Sequence, residues 1–87
     1  MSNESQDFQP QFSTLVLSLA SSSIMALGLE PHPHTQKVEK DLKMAQFNID
    51  LLNVLKTKTQ NNLTTDEKHL LESVISDLQI KFCEVSK

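Results

Sequence analysis

Residues 12–29 read FSTLVLSLASSSIMALGL, and from Phe8 to Leu29 the chain carries no charged side chain, although Lys, Asp and Glu are frequent elsewhere. Leu, Val, Ile and Met occur all round any helix built from this run, with Ser, Thr and Ala between them. A helix that is apolar on every side must be buried on every side. Two further helices of one small chain can hardly wrap it, so the run points to self-association, a partner protein or a membrane. It does not point to a reaction.

Working outward, the run predicts helix 1 over about 11–28. Gly28 ends it by accepting the left-handed conformation that closes a helix, and Pro31 and Pro33 prevent continuation. The opening MSNESQDFQP is polar and contains a proline, so residues 1–10 are expected to form a flexible tail ahead of one helical domain, 11–87. Glu30-Pro31-His32-Pro33-His34 is a stiff connector.

Thr35 is the expected N-cap of helix 2, about 35–59, which has no Pro or Gly inside it. One apolar seam is Val38, Leu42, Ala45, Ile49 and Leu52; a second is Met44, Phe47, Leu51, Val54 and Leu55. At 100° per residue the seams occupy a broad arc, leaving Glu39, Lys43, Gln46, Asp50, Asn53 and Thr57 as a polar strip. Helix 2 is therefore expected to touch two neighbours. Asn48 falls between the seams as a buried amide that needs partners.

Gln60-Asn61-Asn62 reads as a turn in which Asn61 or Asn62 takes the left-handed cap conformation. Thr64 with Glu67 matches a capping box and predicts helix 3 over about 64–86. Its stripe is Leu71, Val74, Ile75, Leu78, Phe82 and Val85. The expected fold is all-α, with helices 2 and 3 an antiparallel hairpin and helix 1 buried in an oligomeric bundle.

The residues that carry a family resemblance are Phe12, Leu19-Ala20 and Leu27-Gly28, then Phe47-Asn48-Ile49-Asp50-Leu51-Leu52, Leu55, Lys58-Thr59, Asn62-Leu63-Thr64 and Leu70-Leu71. In their order and spacing the chain resembles the small bacterial proteins grouped as domain of unknown function 1844. The resemblance implies an all-helical bacterial cytoplasmic protein and supplies no activity or ligand. The family's usual turn glycine is replaced by Asn61, which keeps a cap-competent residue there.

At 87 residues the chain is close to the size at which a single core stabilises only marginally and oligomerisation often helps. Cys83 is the only cysteine, which fits a reducing compartment and excludes an internal disulfide. The formal net charge is −3 and there is no arginine, so phosphate neutralisation has little to act on and nucleic acid is not an expected partner. Glu4 and Asp7 precede the apolar run with no lysine among them, the wrong flank for a secretory leader. The run is also short and serine-rich for a membrane span, which needs about 20 predominantly apolar residues.

Chemistry-bearing groups are sparse. His32 and His34 can face one metal ion from extended backbone, but two ligands do not complete a site, and an exposed proline-stiffened turn is the simpler reading. Asp50, Lys58 and Asn62 form a candidate polar cluster for recognising a partner, but turn chemistry plus a solvated face is the simpler reading, each residue having an ordinary local role; Asp50 has Gln46 and Val54 four residues either side, so no cation of its own helix pairs with it. Cys83 has no base near it in sequence and reads as a small core or interface residue. No enzyme and no cofactor are expected.

The strongest constellation is Thr14, Ser18, Ser22 and Ala26, spaced by four, a line of small side chains that lets a second backbone approach closely. The line can simply receive helix 2 of the same chain; the all-round apolar character of helix 1 favours instead an intermolecular contact, so with Leu15 and Leu19 beside it, and Phe47, Asn48 and Leu51 on helix 2, it is the expected interface of a homo-oligomer whose function is scaffolding or regulation through a protein partner. The rivals are membrane association through helix 1 and a ligand- or metal-binding bundle.

Overall fold

A computed structural model describes residues 11–87; the tail expected over residues 1–10 lies outside the described residues. Three helices follow one another: α1 (Phe12–Ala26), α2 (Leu42–Lys58) and α3 (Thr65–Val85). The all-α expectation holds.

The end of α1 follows from Gly28. Its φ of 79° lets the Gly28 N–H donate to the Met25 carbonyl (3.0 Å) and the Leu29 N–H to that of Ile24 (3.2 Å). This paired pattern satisfies carbonyls that the helix leaves open. Inside α1, Ser23 is fully buried and donates its hydroxyl to the Leu19 carbonyl at 2.8 Å. A serine is thereby accommodated in the core with its donor spent on its own helix.

The expected start of helix 2 at Thr35 is corrected: α2 begins at Leu42, and Asp41 is its cap, accepting from the Met44 N–H at 3.1 Å. The Thr35 hydroxyl instead accepts from the Lys37 N–H at 3.3 Å, a local turn that competes with helix. Gln36 has φ 59°, and the His32 N–H donates to the Lys37 carbonyl at 2.9 Å. The connector thus folds back as a small arm, closed where Leu27 bridges Lys40 antiparallel and the Asp41 N–H reaches the Ala26 carbonyl at 2.7 Å. Val38, assigned to the first seam, lies on this arm and is exposed.

The α2–α3 turn matches its expectation. Asn61 takes the left-handed conformation (φ 68°), and the Asn62 N–H donates to the Thr59 carbonyl at 3.0 Å. Both arms of the capping box are made: the Glu67 N–H donates to Thr64 Oγ1 at 3.1 Å and the Thr64 N–H to Glu67 Oε1 at 2.9 Å.

All three helices share the core. Val16, Ile49, Leu52, Leu71, Ile75 and Leu78 form one cluster, and Ala26, Leu27 and Ala45 a second. The last residue of α1 thus meets the first turns of α2, while the start of α1 meets the middle of α2, so these two helices run antiparallel. The Cα envelope measures 37 × 35 × 15 Å. Two layers of helices span about 13–15 Å between outer Cα atoms, so every helix keeps a face toward solvent.

Candidate interaction surface

On α2 the first seam is used internally, and of the second seam only Leu55 packs against the core. Ala45, Ile49 and Leu52 are buried, whereas Met44, Phe47 and Val54 of the second seam are about half exposed and Leu51 is partly covered. Phe47 is 55 % exposed, although aromatic side chains bury more apolar area than most. On α1, Thr14, Leu15, Ser18 and Ser22 are exposed, Leu19 is half-buried against the core, and Ala26 is buried beside Ala45. The line of small residues therefore divides: its last member receives α2 of the same chain and the others face outward. Leu17, outside that line, is exposed on the far shoulder of α1.

The exposed edges of α1 and α2 meet at a cleft of about 250 Å³, lined by Ser22, Met25 and Ala26 from α1, Met44 and Asn48 from α2, and the connector arm. Asn48 is buried as expected, at 7 % exposure. Its carboxamide makes no hydrogen bond with any described residue, yet neither polar atom is sealed from solvent. Asn48 is thus an unpartnered amide at the floor of an open cleft, beside a row of exposed apolar side chains. Burial without partners costs such a group about 1–3 kcal/mol, so an open edge is what the isolated chain requires.

The other candidate groups do not converge. The Asp50 carboxylate accepts from Gln46 Nε2 at 2.8 Å, so its partner is the amide one turn earlier on the helix. Lys58 lies two turns further on, about 12 Å along the axis, and it and Asn62 are exposed. The His32 and His34 rings are 5.6 Å apart, and the His34 N–H donates to His32 Nδ1 at 3.2 Å, which occupies one ring nitrogen. Among the described residues no three His, Cys, Asp or Glu side chains are placed to hold a metal. Cys83, expected in the core or an interface, is exposed because it falls one position past Phe82 on the outer side of α3.

A second cleft, of about 420 Å³, lies at the α2–α3 turn with Lys56 and Lys68 on its rim and Leu71 below. Sequence reading missed it, because residues from two helices and a turn form it with no local pattern to announce them. No helix among the described residues is long and apolar enough to cross a membrane.

The family model described as Domain of unknown function (DUF1844) matches residues 9–84, nearly all of the described chain. No curated protein matches, and no solved structure matches.

Proposed function

The chain belongs to the DUF1844 family, and from that premise we propose that it is a small, non-catalytic helical interaction module of the cytoplasm that self-associates through the open edges of α1 and α2. The observation that carries this reading is the second seam of α2: Met44, Phe47 and Val54 stand half exposed beside the exposed Leu15 of α1. No charge interrupts the row formed by Leu15, Ser18, Ser22, Met44, Phe47, Leu51 and Val54. Charge depletion with an aromatic and a methionine describes the centre of an interface rather than a solvated face.

The face is also self-complementary. It sets a bulky row on α2 beside a low row on α1, and a two-fold axis brings each copy's bulky row toward the other's low one. The hairpin formed by α2 and α3 acts in this reading as the rigid back of the module. Scaffolding of a further protein partner would use whatever part of the family surface the second copy leaves open.

Light scattering of the full chain at micromolar concentration tests the reading. Wild type is expected as a stable oligomer, and Ser18→Glu or Ser22→Glu as a helical monomer, because each places a charge in the apolar contact while touching nothing buried. A monomeric wild type would sink the proposal.

A further inference from the structure

We infer that His32 makes the tip of the connector arm respond to acidity: its neutral ring holds the turn by accepting the His34 N–H, and its protonated ring lets that N–H go. The inference stands on the arm alone, whether or not the edges of α1 and α2 self-associate.

Two side chains brace the arm in the same way, each accepting from the backbone N–H two residues on. The His34 N–H donates to His32 Nδ1 at 3.2 Å, and the Lys37 N–H to Thr35 Oγ1 at 3.3 Å. Such bonds build a turn from side-chain acceptors. The threonine hydroxyl keeps its acceptor at any pH. His32 Nδ1 accepts only while it carries no proton, which places the neutral ring's proton on Nε2; in the imidazolium both nitrogens are donors. Histidine gains its charge between about pH 8 and about pH 5. Within that range the His34 N–H loses its acceptor and meets a second N–H instead.

None of the charged groups around the ring restores the acceptor. His32 lines the cleft of about 250 Å³ together with Lys37, Glu39 and Asp41. The two carboxylates attract an imidazolium, whereas Lys37 and a charged His34 ring, its centroid 5.6 Å away, repel one. Both influences draw the charged ring off the turn. Glu30 and Lys40 lie elsewhere on the arm and Lys43 in the first turn of α2. From α1 the cleft takes only Ser22, Met25 and Ala26, which carry no charge, and among the described residues α3 lines no part of it.

The change is confined to the tip. The His32 N–H still donates to the Lys37 carbonyl (2.9 Å), and the His32 carbonyl still accepts from the Gln36 N–H (2.7 Å). The base of the arm stays closed by the Asp41 N–H on the Ala26 carbonyl. Acidification therefore frees a ring that forms part of one cleft wall and leaves the helices as they are.

Nuclear magnetic resonance of the full chain tests this, because the shift of a bonded amide moves less with temperature than that of an amide bonded to water. The wild-type His34 amide is expected to be bonded at about pH 8 and released at about pH 5, while the Lys37 amide responds alike at both. His32→Asn offers the same N–H an oxygen that does not titrate, so its residue 34 amide should stay bonded throughout. In His32→Ala it should be released throughout. His34→Gln keeps the backbone N–H and removes the neighbouring ring, so release should persist. A wild-type His34 amide that behaves alike at both pH values would overturn the inference. So would acid release in His32→Asn, a bonded amide in His32→Ala, or the loss of release in His34→Gln, which would assign the effect to repulsion between the rings.

Discussion

The Asp41 N–H donates to the Ala26 carbonyl at 2.7 Å, tying the residue that caps α2 to the last residue of α1. Fourteen intervening residues are thereby closed into an arm on which Gly28 passes directly over Lys40. A Cβ built on Gly28 would lie 3.3 Å from the Lys40 Cβ, on a backbone whose φ is 79°.

Gly28→Ala is therefore expected to destabilise the protein by about 1–2 kcal/mol, chiefly through the left-handed backbone. For a chain of this size each kcal/mol is about 4–8 °C in melting temperature. Adding Lys40→Gly relieves the close contact but not the backbone term. Thermal denaturation of the double variant should recover only a minor part of the loss; full recovery would place the whole cost in the contact.

The start of α2 separates two candidate caps. Asp41→Ala removes the acceptor of the Met44 N–H and should cost about 1 kcal/mol. Thr35→Ala touches only an exposed turn and should stay within about 0.5 kcal/mol. Equal losses in urea denaturation would return the helix start to Thr35.

How far the fold was legible follows from these positions. Gly28, Asn61 and the Thr64–Glu67 box act within a few residues of themselves, so their chemistry could be read from spacing alone. Thr35 misled because threonine serves a turn as readily as a cap, and the choice was made by Lys40 pairing with Leu27, a contact between segments that sequence spacing does not record. The two seams of α2 were visible as a pattern. That the second is filled only at Leu55 depends on where α1 and α3 lie, and the same holds for Ser23 being the serine that is buried.

Thr64→Ala should destabilise α3 by about 1 kcal/mol, because both reciprocal bonds of the capping box are present. Glu67→Ala should cost less, and the double variant less than the sum, since each side chain's role depends on the other. Additive losses in a double-mutant cycle would show the two bonds to be independent.

Leu52 and Phe47 lie on one helix in opposite situations, Leu52 fully buried and Phe47 at 55 % exposure. Leu52→Ala is expected to cost about 2–5 kcal/mol at any protein concentration. Phe47→Ala should instead remove the concentration dependence of the melting temperature that self-association confers, leaving the monomer's own stability nearly unchanged. Melting curves over a hundredfold concentration range separate the two. Loss of helicity at low concentration in Phe47→Ala would place Phe47 in the core.

Asn48 interrupts the apolar arc of α2 where leucine would be easier to bury, and it finds no partner among the described residues. Asn48→Leu removes an amide that must be paired or left open, so the protein should remain helical and be as stable as wild type or more so. A buried Asn at a helix interface fixes register and copy number, and a seam with leucine in its place tolerates shifted registers and other copy numbers. Native mass spectrometry of Asn48→Leu should then show a broadened or altered distribution of oligomers where wild type gives one species. A single unaltered species with unchanged melting temperature would make Asn48 incidental to assembly.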